Sequence, residues 1–169
     1  MSAVADTLDR VHPRVRGALE RHGIDATVHV HERLGVPISS PDDVAEALGL
    51  DVARIAKSLF LRRRGGGEFA LAVTCVHDRV DWHAVADVVR VEPLELARPD
   101  ELDAVLGYSA AGVSPLGAPP EVPVAVDSRL LDEETILVGG GRSGVEVELA
   151  PADLVAAAGA VVAHIREEL

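Results

Sequence analysis

Arg54-Ile55-Ala56-Lys57-Ser58-Leu59-Phe60-Leu61 is the stretch on which the fold turns. A short turn over 51–56 hands over here to a strand, and Ser58–Arg63 carries apolar residues in alternation. Gly65-Gly66-Gly67 then allows a reversal, and Glu68–Val76 alternates in the same way, so the pair reads as a β-hairpin. Upstream, Ser40-Pro41-Asp42-Asp43 is a strong helix start: a serine cap, a proline in the first turn and acids at the positive helix end. That helix is expected to run to Leu48 and to stop at Gly49.

Working outward, residues 3–22 place Val4, Leu8, Val11, Val15 and Leu19 at helical spacing, ending at Gly23. Ala26–Val30 reads as a strand. Asp81 is expected to cap a helix through Val89, and Pro99-Asp100 to open another ending near Leu106. Val122–Val126, Thr135–Val138 and Val145–Leu149 read as strands, Pro151 opens a last helix, and a short apolar stretch covers 161–165. Helices and strands mix without strict βαβ alternation, which predicts an α+β domain. With 169 residues and no repeat, linker or low-complexity segment, a single domain over 1–169 is expected.

Composition narrows the function. Apolar residues make up 48% and charged residues 26%, as in ordinary globular chains. No apolar run approaches the ~20 residues that span a bilayer, and the first ten residues lack a signal-peptide pattern, so a cytoplasmic protein is expected. One cysteine, Cys75, excludes an internal disulfide framework. Phe60, Phe69, Trp82 and Tyr108 are the only aromatic residues, too few for a single-strand stacking platform. A net charge of −12 argues against non-specific binding to DNA but leaves room for a local basic patch. Arg62-Arg63-Arg64, at the expected hairpin tip, is the densest positive run.

Lys57 is the only lysine, beside fifteen arginines. A compact ammonium with three rotatable donors is not interchangeable with a planar guanidinium. Two readings stand: a solvated surface lysine, or a site residue mounted at an element end. Gly107-Tyr-Ser-Ala-Ala-Gly-Val-Ser-Pro-Leu-Gly117 combines small residues, flexible glycines and a rigid proline. Such a loop can present amide N–H groups to an oxyanion or phosphate, or be an ordinary surface turn. Gly139-Gly140-Gly141-Arg142-Ser143-Gly144 lacks the Gly-Lys-Ser/Thr of a phosphate loop and precedes a strand. It reads as a hairpin connection or as an unobstructed ligand boundary. His29 and His31 share a strand face, but no third ligand follows at a recognised spacing, so no metal is expected. Cys75, in an apolar strand, reads as a buried inert thiol.

Taken in order, Ile55-Ala-Lys57-Ser58-Leu, the 107–117 loop, Val124-Ala-Val-Asp127 and Gly140-Gly-Arg-Ser-Gly-Val-Glu146-Val-Glu-Leu149 resemble the YbaK family. This is the editing domain found in or beside prolyl-tRNA synthetases, and the likeness covers roughly residues 12–165. The resemblance implies a mixed, partly barrel-like sheet surrounded by helices. It also implies hydrolysis of the ester of mischarged tRNA, commonly cysteinyl- or alanyl-tRNA(Pro), without cofactor, metal or covalent intermediate. The family's lysine falls on Lys57 and its Gly-x-x-x-Pro loop on Ala111-Gly112-Val113-Ser114-Pro115, with Ala111 in place of the first glycine. The hydroxyl after the lysine is Ser58, and the acid after the second glycine loop is Glu146, where aspartate is frequent. His31 stands where an aromatic residue ends the first strand.

An aminoacyl ester is already activated, so its hydrolysis needs a positioned water and a polarised carbonyl. The roles implied are Lys57, Gly112 and Ser114 as catalytic residues. Ser58, His31, Ala111, Val113, Pro115, Gly140, Gly141 and Glu146 would bind substrate, and Arg62, Arg63 and Arg64 would grip tRNA. The partners implied are the 3′ end of an aminoacyl-tRNA and a prolyl-tRNA synthetase. The rival readings are a non-catalytic nucleotide-, tRNA- or synthetase-binding module of the same fold, and an acidic interaction protein without a pocket.

Overall fold

The computed structural model describes residues 7–168. The hairpin is present and slightly longer than expected: β2 (Ala56–Arg63) pairs antiparallel with β3 (Phe69–Cys75). The strand therefore starts before Lys57, which faces Thr74 across the ladder. Alternation along these strands covers both sheet faces. Phe60, Leu71, Val73 and Cys75 enter the main core, while Leu61, Ala70 and Ala72 meet a second cluster with Val85 and Val89.

Around the hairpin, a five-stranded sheet has the order β4-β2-β3-β5-β8, with β4 Leu94–Leu96, β5 Val124–Asp127 and β8 Val161–Ala163. The β3–β5 and β5–β8 pairs are parallel. A three-stranded antiparallel sheet runs β1-β7-β6, with β1 Thr27–Val30, β6 Ile136–Gly139 and β7 Val145–Leu149. The two sheets touch at one parallel bridge, Ile55 to Leu137. The fold is α+β as expected, but among the described residues no closed barrel forms. The partly barrel-like sheet is two sheets meeting at that bridge.

Five helices with bounds wholly among the described residues pack on this frame: α1 (Pro13–Arg21), α2 (Pro41–Leu48), α3 (Trp82–Val89), α4 (Pro99–Val105) and α5 (Pro151–Ala158). Ser40 Oγ accepts from the Asp43 amide at 3.3 Å, and α2 ends on Gly49 at φ 67°, so both signals for this helix hold. Asp81 likewise caps α3 through the amides of His83 and Ala84. The continuous helix expected over 3–22 is corrected: α1 begins at Pro13, after a His12 cap, and residues 3–6 lie outside the described residues. His12 is fixed there because its amide donates to Gly140 O, which turns the chain before the helix starts.

Asp127, at the end of β5, is fully buried. It accepts from the Ile165 amide at 2.9 Å and pairs with Arg166 at 2.8 Å, tying the C-terminal segment to the sheet. The resemblance motif at 124–127 is thereby a structural one.

Candidate active site

Lys57 opens onto a cavity of about 180 Å³ whose walls include Ser58, Ala111, Val113, Gly139 and Glu146. Three elements that are distant in sequence supply it. β2 brings Lys57 and Ser58, the loop before β5 brings Ala111 and Val113, and the β6–β7 hairpin brings Gly139 opposite Glu146. Its volume is equivalent to about six waters, well below the ~300–1,000 Å³ of drug-sized sites, so it suits a small group. A larger cavity of about 580 Å³ lies beside Trp82, His83 and Arg64. The Lys57 cavity is the stronger candidate because unsatisfied polar atoms converge on it.

Lys57 makes no ion pair among the described residues, whereas nine of the arginines do. Ser58 Oγ is buried without a hydrogen-bond partner, and so is Thr74 Oγ1 on the strand opposite Lys57. A buried hydroxyl left unpaired costs free energy, so such a group beside a cavity points to a ligand. Glu146 carries the cavity's carboxylate, and His31 Nε2 stands 3.4 Å from its Oε1. The shared strand face expected for His29 and His31 is corrected: β1 ends at Val30 and His31 opens a short 3-10 turn, while His29 on β1 makes a firm 2.7 Å hydrogen bond with Glu148 Oε1.

The two glycine-rich loops form one backbone unit. Gly112 O accepts from the Gly141 amide at 2.7 Å, and Gly141 O accepts from the Ser109 amide at 3.4 Å. A methyl group on Gly112 would lie 2.4 Å from the Arg142 carbonyl carbon, and one on Gly139 would lie 2.3 Å from Val113 O. Glycine is required at both because main chain meets main chain. His12 edges onto the Tyr108 ring at 5.0 Å, and the Tyr108 hydroxyl donates to Leu116 O, which pins the loop from behind. Burial pushes the Tyr108 phenol up, and burial with the nearby Arg142 and Arg14 charges pushes the His12 ring down. Both groups therefore stay neutral struts.

This geometry sorts the expected residues. Lys57, Ser58, Ala111, Val113 and Glu146 line one cavity, and His31 reaches it through Glu146. Gly112 is buried behind the wall, and its amide already donates to Ser109 O at 2.9 Å. It is therefore corrected from an oxyanion donor to a packing residue. Ser114 is corrected similarly: it is fully buried, and its Oγ accepts from the Leu116 amide at 3.1 Å. Pro115 is also buried, and Gly140 and Gly141 serve the loop junction rather than the cavity wall. The amides of Val113 and Ser114 donate to no acceptor among the described residues, which leaves them as the loop's available pair.

Arg62, Arg63 and Arg64 lie at the opposite end of β2 from Lys57. Each residue of the expected tRNA-binding patch has an acid beside it. Arg62 pairs with Glu95 at 2.6 Å and Glu101 at 3.2 Å, Arg63 with Glu68, and Arg64 leans on Glu95 at 3.9 Å. Gly139 was missed as a wall residue, although it heads the glycine run already singled out. Cys75 is buried as expected: its thiol donates to Ala53 O, and burial pushes it up to about 11.

Together these features define a class of small α+β domains in which a lysine-bearing strand faces a pinned glycine loop across a small cavity. The model of the aminoacyl-tRNA editing domain matches residues 36–157, and the chain belongs to that family. It is 30% identical over 112 residues to EbsC of Enterococcus faecalis, a proposed Cys-tRNA(Pro)/Cys-tRNA(Cys) deacylase, covering 66% of this chain and 68% of that one. A proline–tRNA ligase of Limosilactobacillus fermentum is 27% identical over 106 residues, 61% of this chain but 18% of the ligase. A solved structure of a proposed trans-editing enzyme for prolyl-tRNA synthetase superposes with a TM-score of 0.77 at 29% identity, over 99% of each chain.

Proposed function

We propose that this protein is a cytoplasmic deacylase acting in trans, which hydrolyses the ester of tRNA(Pro) mischarged with a small amino acid such as cysteine or alanine. The observation that carries the reading is the convergence of unpaired Lys57, unpartnered Ser58 Oγ and the Glu146 carboxylate on one small cavity. The aminoacyl group enters that cavity, and its volume selects against large side chains. Glu146 attracts the α-ammonium group. Lys57 and the Val113 amide face the carbonyl oxygen as negative charge develops there. A water held among these groups attacks the carbonyl carbon, the bond from that carbon to the ribose oxygen breaks, and a proton from the attacking water passes to that oxygen, which leaves as the ribose hydroxyl. Binding energy from the tRNA helps to orient the ester, so no strong nucleophile is needed.

The fold neighbour that aligns over almost its whole length supports action in trans, and the likeness to EbsC supports a proline-tRNA substrate. The deciding experiment is turnover on alanyl-, cysteinyl-, seryl- and prolyl-tRNA(Pro). Hydrolysis of one or more of the small mischarged esters, with prolyl-tRNA spared, is expected. Absence of turnover on all four, with binding retained, would instead favour the non-catalytic module.

A further inference from the structure

Strand β3 reads Phe69-Ala-Leu-Ala-Val-Thr-Cys75, and Thr74 carries its one hydroxyl. That residue is fully buried, and its Oγ1 has no hydrogen-bond partner among the described residues. Valine fills nearly the same volume without a polar atom, whereas a buried unpaired hydroxyl costs free energy. A threonine at such a position calls for a partner. Thr74 lies outside the walls of the Lys57 cavity, so a small ligand held there does not supply one.

The sheet narrows the choice. Lys57 faces Thr74 directly across the β2–β3 ladder, and the next facing pair on the same side, Leu59 and Ala72, is apolar. Alternation puts Lys57 and Thr74 on the face that carries Leu61 and Ala70, opposite to that of Phe60 and Val73. On the other flank β3 runs parallel to β5, and Asp127 comes next after the Val73–Val126 pair. Its carboxylate is already taken by the Ile165 and Arg129 amides and the Arg166 guanidinium. That leaves Lys57, half-buried and itself without an ion pair or hydrogen bond among the described residues. Facing Cβ atoms of an antiparallel pair stand about 4.5–5.5 Å apart, within reach of a four-carbon stem.

We infer that Thr74 is a positioning residue for Lys57: its Oγ1 accepts one N–H of the ammonium group and so aims the other two at the cavity. This rests on the deacylase reading and adds to it a residue that never touches substrate. An ammonium on a flexible stem has three rotatable donors and no preferred direction. A donor that stabilises a developing oxyanion works best when held in place beforehand. Thr74 can hold it because its own strand is fixed between two packed cores. In the structure the two groups face each other unbonded, and turning the lysine stem joins them with no movement of the ladder.

Lys57 is the only lysine, so protein grown on isotope-labelled lysine gives a single ammonium resonance, which reports on Lys57 with or without activity. In Thr74→Val that resonance should shift, and its exchange with water should quicken about threefold, as loss of one hydrogen bond predicts. On mischarged tRNA, Thr74→Val should lower kcat about tenfold and hold KM within about twofold. Tm should hold or rise, since the substitution removes a buried hydroxyl. Thr74→Ser, which keeps the hydroxyl, should recover most of the lost turnover. In a Lys57→Ala background, Thr74→Val should cause no further loss, because the two residues act as one unit. A threonine with only a packing role would leave the resonance and kcat unmoved, or would lower kcat equally with and without Lys57. Either result overturns the proposal. If no mischarged ester is hydrolysed, the deacylase reading falls by itself. A shifted resonance would then still support the Thr74–Lys57 contact, and an unmoved one would overturn it.

Discussion

The carbonyl oxygen of Gly112 accepts a 2.7 Å hydrogen bond from the amide of Gly141, so the loop before β5 and the β6–β7 hairpin are a single backbone unit. A side chain at Gly112 would enter the main chain of Arg142 at 2.4 Å. Gly112→Ala should therefore separate the two loops, cost about 1–3 kcal/mol of stability and remove most turnover together. Chemical denaturation and deacylation on the same preparation check this. A variant as stable as wild type would show that the hairpin can retreat without cost.

Lys57 is expected to behave in the opposite way. It has no ionic partner among the described residues, so Lys57→Ala should change stability by less than about 0.5 kcal/mol. It should still lower kcat by about a hundredfold, the size expected for loss of one donor to a developing oxyanion. Lys57→Arg should fail as well, since a planar fork does not fit a cavity of about 180 Å³ as an ammonium does. Full activity of the arginine variant would remove Lys57 from the mechanism.

Much of this was legible in the chain, for identifiable reasons. Helix α2 announced itself because its signals are local: a serine cap, a proline, two acids and a glycine stop within ten residues. The hairpin was legible because two short stretches rich in apolar residues flank a glycine turn, the second nearly continuous since both its sheet faces are buried. Strand β4 was not, because Leu94–Leu96 is three residues long and exists only by pairing with the end of β2. At the site, residue type singled out Lys57, and the family resemblance added Ser58 and Glu146. The exclusion of Gly112 and Ser114 from the cavity wall could not be read in advance. It depends on which hydrogen bonds the folded loop has already used, and those partners are Ser109, Gly141 and Leu116.

The arginine run makes a contrasting case. Arg62 bridges Glu95 on β4 and Glu101 on α4, and both acids hold its charge in place. Arg62→Ser is expected to lower Tm by a few degrees by freeing β4, with little direct effect on RNA capture. Arg63 and Arg64 are more exposed, and replacing both with serine should change Tm little. A tRNA KM that rises only with the Arg63/Arg64 pair would restore part of a basic patch at this tip.

Glu148 gives the pH dependence. Burial alone would push its carboxyl up, but hydrogen bonds from Thr135 and His29 and the charge of Arg54 outweigh that and hold it below the ordinary range. Its folded value thus lies below its unfolded one, near 4.3 for a free glutamate. The stabilisation is present above that unfolded value and is lost as pH falls through the folded one. Wild type should therefore exceed Glu148→Gln in stability at pH 7, and the gap should close below about pH 4. A gap that stays constant down to pH 3 would mean the charge on Glu148 contributes nothing.

Asp127 separates architecture from chemistry most cleanly. It is fully buried, 2.8 Å from Arg166, and it also accepts from the amides of Ile165 and Arg129. Replacing it with alanine leaves the Arg166 guanidinium and the Ile165 amide without their acceptor, in a setting that water enters poorly. A broken buried pair of this kind costs about 3–5 kcal/mol. Yet Asp127 is absent from the walls of the Lys57 cavity, so it should influence turnover only through the folded fraction. The expected result is a large drop in denaturation midpoint for Asp127→Ala, with kcat per folded molecule near wild type at low temperature. Asp127→Asn keeps the acceptor for Ile165 and should recover part of the loss. If kcat per folded molecule fell along with stability, the β5 end would be transmitting strain to the 111–115 loop, and the separation argued here would not hold.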